Sequence, residues 1–225
     1  MARSSADDTR QRILDAAEAL FAERGYHGAA LRQIAEGAGV AVSVAQYHYD
    51  SKETLYCDVV ERRIAVLNHE RLGLLDKAER ASPDGAPPQL SAVLQALIEP
   101  IVRFCRSKRP GAKEFAQILG QVSNDPGPHA RRVADTHFDP IGRYMMKALA
   151  AALPGLPQDT LALGYIFVIG SIAAVVSPTG RLAGLANGAA GVETADAILQ
   201  RLLPFATAGF LAIAAPTAGL ARDQA

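Results

Sequence analysis

The sequence predicts an all-α protein, with a short N-terminal three-helix helix-turn-helix unit followed by a larger C-terminal helical domain. Alternating β-branched runs, the mark of half-buried strands, do not occur. Apolar residues recur instead at i, i+3, i+4 and i+7 along most of the chain. Glycine- and proline-bearing stretches punctuate these segments at helix-sized intervals. The chain has 225 residues, 49% hydrophobic and 20% charged, enough for one sizeable core or for a small domain beside a larger one.

The elements follow in order. Segment 8–24 sets Ile13, Leu14, Ala17, Leu20 and Phe21 on one face, and Gly25 ends it. Segment 31–38 offers Leu31, Ile34, Ala35 and Ala38; after Gly39 a third short helix covers about 41–48. Ser51 opens a long helix reaching about Glu79, in a pattern close to a capping box but with the acid one position early. A loop is expected at 82–88. An apolar helix then carries Leu90, Val93, Leu94, Leu97, Ile98, Ile101 and Cys105, with Pro100 kinking it. A shorter helix covers 111–123, a turn 124–128, and a helix from about His129 to Leu153 bends near Pro140. Two charge-free helices come last, flanking the Gly-rich stretch 180–191. The total is about nine helices.

Composition narrows the function classes. Twenty-three Lys+Arg balance twenty-three Asp+Glu, so no bulk basicity advertises nucleic acid or a membrane surface. Cys57 and Cys105 belong to no C-x-x-C pair and suit reduced core residues of a cytoplasmic protein. The first residues hold no apolar run behind a basic start, so no signal peptide is expected. Residues 160–180 and 202–221 are uncharged and long enough to span a bilayer. Their Ala, Gly, Ser, Thr and Pro content, with Pro204 and Pro216 in the second, favours two buried helices of a soluble protein and no membrane. Their small residues Gly164, Gly170, Ala173 and Ala174 permit close helix approach. Ile198, Leu199, Leu202, Leu203, Ala206 and Phe210 repeat at three-to-four spacing, so two-fold duplication would give a four-helix homodimer interface.

The first trio is the most informative part. A helix-turn-helix needs a small residue where its helices meet, a glycine at the turn and an apolar residue inside the second helix. Ala35, Gly39 and Ala45 stand at those offsets, with Leu31, Ile34 and Val40 as core pegs.

The blocks Thr9 to Tyr26, Ile34 to Val40 and Tyr47 to Leu55 agree in order and distance with the tetracycline-repressor (TetR) family of bacterial transcription regulators, which this sequence resembles over about residues 9–56. Val44-Ala45-Gln46-Tyr47-His48-Tyr49 is similar to a subgroup some of whose members respond to fatty acyl compounds. The resemblance implies a DNA-binding domain over 1–52 and a ligand-binding and dimerisation domain over 53–225. It implies a double-stranded DNA operator and a small-molecule effector as partners. It also implies roles. Arg32 opens the first helix of the motif, to read guanine or hold a phosphate; Ser43, Val44 and Tyr47 lie on the recognition helix; Gln46 reads adenine or bonds a phosphate. Tyr47 and His48 resemble the backbone-contacting pair and Lys52 a phosphate clamp, whereas Tyr49 is expected to pack the small core. The family commonly has tyrosine where Gln46 stands, and lysine or another polar residue near Val42, so operator sequence does not carry over.

Charge departs from expectation as well. Residues 1–63 hold eight Lys+Arg against ten Asp+Glu, so phosphate attraction must come from local geometry. That balance leaves open a second reading, a small-molecule-binding helical protein whose DNA module is vestigial. No G-x-S-x-G, H-E-x-x-H, Walker A or G-x-G-x-x-G motif occurs, and the five histidines show no ligand spacing. Neither enzyme activity, cofactor nor metal is expected. For the larger domain, Phe104, Phe115, Ile118, Leu119, His137, Phe138, Ile141, Tyr144 and Met145 are candidates to line an apolar pocket between the proline-interrupted helices, with Arg103, His137 and Tyr144 fixing a ligand's polar end.

Overall fold

A computed structural model describes residues 5–189, 191 and 193–215. Pro216 and the end of the second uncharged run lie outside the described residues, as does Arg3. Among the described residues there is no strand, and the helices are α1 (Ser5–Gly28), α2 (Leu31–Gly37), α3 (Val42–His48), α4 (Lys52–Ala81), α5 (Leu90–Cys105), α6 (Ala112–Val122), α7 (Pro128–Val133), α8 (Asp139–Ala152), α9 (Gln158–Val176), α10 (Arg181–Leu185) and α11 (Ala195–Ala214).

The first three helices close a small core around Ile13, Ala17, Phe21, Ile34, Ala35 and Ala45, all fully buried. Gly25 takes φ 69°, and this left-handed residue breaks α1 one turn before its end. Ser51 caps α4: its Oγ accepts from the Thr54 amide at 3.0 Å. Thr54, not an acid, completes that first turn, its hydroxyl 2.8 Å from Ser51 Oγ. α4 then runs unbroken for 30 residues out of the small core and along α5.

α5 is the hub of the larger domain. It is apolar on nearly every side, packs on α4, α6, α8, α9 and α11, and continues through Pro100 as one element. Pro100 has no N–H, so the carbonyl ladder one turn earlier is thinned. There the buried Arg71 of α4 donates from Nε to the Leu97 carbonyl at 3.2 Å.

Two departures from the expected layout stand out. The helix expected over 129–153 is split into α7 and α8 by a wide π-helical turn, Ala134–Phe138. Pro140 explains the position: its ring cannot sit against the carbonyl one turn back, so the backbone widens by a residue before α8 begins. The Gly-rich stretch 180–191 is not all linker; it holds the short α10 after Gly180, which supplies φ 69° at the helix start. Among the described residues these two differences turn the expected nine helices into eleven.

α9 and α11 pack against each other closely. A Cβ on Gly164 would lie 2.6 Å from the Phe210 ring, so only glycine allows this approach. Both helices are long and apolar enough to cross a membrane by length and composition, and only about a third of each is buried within the protomer. Two buried helices pairing with a two-fold copy were expected; in the single protomer much of each faces outward.

Candidate nucleic-acid interface and ligand cavity

The turn between α2 and α3 is fixed from outside the motif. Gly39 adopts φ 63°, and a Cβ there would come within 2.8 Å of Arg12 Nη2. Arg12 reaches from α1 to donate to the carbonyls of Ala38 and Gly39. With Ala45 buried against the core, the opposite face of α3 is left to solvent: Val42, Ser43, Val44, Gln46 and Tyr47 are exposed, and Tyr47 is 87% exposed. Arg32, on the first turn of α2, is exposed beside them, and His48 is half-buried with its ring 5.6 Å from that of Tyr47. A tyrosine that large left bare on a seven-residue helix contributes nothing to the core. Tyr49 does the reverse: it is buried, under the Arg10 guanidinium, and burial pushes its phenol up to about 12.

Part of the acidic surplus of this region is engaged between helices. Glu18, 4% exposed, is gripped by Arg62 and Arg63 of α4; Asp15 also meets Arg62, and Asp58 meets Arg10 at 2.6 Å. Glu53 faces Arg132 and Glu61 faces His137, across the junction with α7 and the π turn. Five of the ten acids are thus engaged between helices, while Glu36 and Asp50, on either side of α3, stay exposed.

Lys52 departs from the expected role. Its ammonium donates to the carbonyls of Tyr26 at 2.9 Å and Ala29 at 3.1 Å and lies 4.3 Å from the Tyr26 ring centre. Burial lowers its pKa. Two of its three N–H groups thus tie α4 to the end of α1, leaving one for any phosphate.

Tyr26 also stacks on the buried His129 ring at 3.8 Å, and His129 Nε2 meets Asp125 Oδ2 at 3.0 Å. The Gly127 amide donates to Asp125 and holds its carboxyl below the usual carboxylate range. His27, Asp125 and His129 bring ligand atoms within 4.8 Å of one another, a grouping of metal-ligand type that spacing along the chain does not reveal.

In the larger domain a cavity of about 890 Å³ opens between α1, α4, α5, α6, α8 and α9. Of the residues expected to line a pocket, Leu119, Phe138 and Ile141 face it. The rest are placed elsewhere. Arg103 lies on the outer face of α5, bonded to Glu99 and to Asp196 of α11. Phe104 packs edge-on against Phe115 at 5.8 Å and borders a separate cleft. Phe115, Ile118 and Met145 fill the core, Tyr144 is exposed, and His137 is engaged by Glu61. Helical periodicity separates inside from outside but not core from cavity wall, which explains the placing of Phe115, Ile118 and Met145. Two residues sequence reasoning missed, Arg71 and Tyr165, supply polar groups to the wall.

The candidate dimer helices are α9 and α11, but much of the chosen face points inward. Gly164, Ala173, Ile198, Leu199, Leu202, Ala206 and Phe210 are buried within the protomer and Leu203 is half-buried against its core, while Gly170 and Ala173 border the cavity. The exposed stripe consists of Leu163, Ile166 and Phe167 on α9 with Phe205, Leu211 and Ile213 on α11.

Residues 13–59 match the model of bacterial regulatory proteins of the tetR family, and residues 95–209, just over half the chain, match the tetracyclin repressor-like C-terminal domain. The chain belongs to the TetR family. It is 32% identical over 167 residues to the HTH-type transcriptional repressor NicS of Pseudomonas putida, covering 73% of each chain. It is 41% identical over 58 residues to the HTH-type transcriptional activator FasR of Mycolicibacterium smegmatis, spanning 26% of each chain. The fold matches that of the fatty acid degradation regulator FadR of Bacillus halodurans with TM-score 0.65 at 15% identity, over 93% of this chain and 98% of that one. Against this TetR frame, Lys52→Ala is expected to cost about 1–3 kcal/mol of stability without any DNA present, because two charge-assisted hydrogen bonds are lost. A thermal melt of the free protein checks this; an unchanged melting temperature would return Lys52 to a pure phosphate contact.

Proposed function

We propose that the protein is a cytoplasmic, homodimeric transcription regulator, a repressor that binds a near-palindromic operator and leaves it when an apolar or amphipathic small molecule fills the cavity. It acts by binding and is not an enzyme. The observation that carries this reading is the bare outer face of α3, with Tyr47 and Gln46 presented by a core that buries only Ala45. A vestigial module would have no reason to keep an exposed tyrosine and valines there, and five of the ten acids whose count favoured that alternative are engaged between helices.

The domain division falls at about Lys52, with 1–52 contacting DNA and 53–225 binding effector and partner. Arg32, Val42, Ser43, Val44, Gln46, Tyr47 and His48 form the DNA face, Lys52 holding its edge. The exposed stripes of α9 and α11 meet their two-fold copies in a four-helix interface. Signalling runs through shared walls. Ala22 and Glu23 of α1 and Ile64 of α4 border the same cavity as α6 and α9. The Gln121 side chain of α6 donates to the Ala22 carbonyl at 2.9 Å. A ligand that moves these walls swings α4 and α1 and changes the separation of the two recognition helices. Coupling of this kind is reciprocal: a tenfold loss of operator affinity requires a tenfold loss of ligand affinity, about 1.4 kcal/mol.

The test separates base reading from positioning. Arg32→Ala and Gln46→Ala are each expected to cost ~1–3 kcal/mol on the preferred site and to relax preference at one position, measured by selection from randomised DNA. An unchanged selected sequence with uniformly weaker binding would reassign both residues to phosphate contacts.

A further inference from the structure

We propose that the cavity takes an organic anion: a carboxylate or similar oxyanion head seated on Arg71, with an apolar body along Ile64, Ile101, Leu119, Ile141, Ile169 and Ile172. The proposal rests on the effector reading above and adds to it the charge of the ligand.

Arg71 is the observation. It projects from the middle of α4 into the cavity wall and is 4% exposed. Its Nε donates to the Leu97 carbonyl at 3.2 Å and one Nη to Asn68 Oδ1 at 2.9 Å. Both acceptors are neutral, and among the described residues no carboxylate pairs with it. Two other buried polar side chains, Glu18 and His129, are handled differently. Glu18 is held by two arginines and His129 by Asp125. A desolvated guanidinium without a counter-ion is costly, and burial pushes its pKa down. Arginine nevertheless keeps its proton in proteins, so the charge persists and waits for a partner.

The two hydrogen bonds that exist fix the plane of the guanidinium, leaving three of its five N–H groups for a ligand. A planar fork of this kind suits the two oxygens of a carboxylate. Tyr165, also on the wall, lies within electrostatic reach of Arg71. Burial raises the pKa of its phenol, which keeps the O–H as a further donor. The remaining charged residues that border the cavity, Glu23, Asp139 and Arg181, are exposed or half-exposed at its mouth, where water screens them. A neutral apolar ligand would leave Arg71 uncompensated, and a cation would be repelled by it.

The test uses three probes of one length: octanoate, octanol and octylamine, titrated by calorimetry into the full chain, with operator release followed separately. Octanoate is expected to bind at least about tenfold more tightly than either of the others. Arg71→Met is expected to weaken octanoate roughly 30-fold or more while leaving octanol nearly unchanged. Arg71→Lys, which keeps the charge but loses the fork, should fall between. Octanol binding as well as octanoate, octylamine binding best, or no octanoate binding at millimolar concentration would each overturn the anion site. Should Arg71→Met fail to fold, the three-probe comparison on the natural chain still decides. Octanoate bound through Arg71 without loss of operator affinity would uphold the anion site and refute effector release.

Discussion

Phe167→Glu and Phe205→Glu are each expected to give folded monomers. Phe167 is 62% and Phe205 71% exposed in the protomer, so a carboxylate at either site stays in water when the chain is alone, and its intrinsic cost is within about 0.5 kcal/mol. In a two-fold dimer the same carboxylate would be buried against an apolar partner helix without a counter-ion, a penalty of several kcal/mol that the association free energy must absorb. Sedimentation at low micromolar concentration, with helix content followed in parallel, measures both sides. Leu202→Glu is the contrast: Leu202 packs inside the protomer, so this change should lower the melting temperature and helix content together. Dimeric Phe167→Glu and Phe205→Glu proteins would move the interface off these helices.

Glu18→Ala is expected to be the most damaging single change in the DNA module. The carboxylate is buried between α1 and α4, where Arg63 donates to it from Nε at 2.8 Å and from Nη2 at 2.6 Å and Arg62 also donates. Breaking a buried pair by removing one partner typically costs 3–5 kcal/mol. Arg62 and Arg63 keep some contact with solvent, so the lower end, about 3 kcal/mol, is expected here. For a chain of this size that is a fall of roughly 6–12 °C in melting temperature. A loss of only a degree or two would mean that the two arginines find other partners and that this network does not join α1 to α4.

The DNA module was legible because its information is local. A small residue at Ala35, a positive φ at Gly39 and a buried methyl at Ala45 each follow from neighbours a few residues away. The larger domain was legible only as helices. α9 and α11 are apolar on nearly every side, so periodicity carries no phase and could not tell the stripe of Phe167 and Phe205 from the inward stripe of Leu199 and Leu202. Pro140 announced a bend, but the width of the π turn depends on how the backbone relaxes around the ring. Arg71 stands beside Glu70 in a charged stretch that suits a solvated helix face; only the tertiary packing shows that it is buried in the wall of the cavity. The pairing of Glu18 with two arginines was hidden for the same reason.

The most direct test of the account is the binding of fluorescently labelled DNA from immediately upstream of the protein's own coding sequence, followed by anisotropy over a range of salt concentrations. Specific binding to an operator there should exceed binding to a scrambled duplex by roughly a thousandfold or more. Its logarithm should fall linearly with the logarithm of salt, because phosphate contacts release counterions. Tyr47→Ala should weaken it while leaving the fold intact. Equal binding to the scrambled duplex, or affinity that does not change with salt, would contradict the assignment of the exposed face of α3 to DNA.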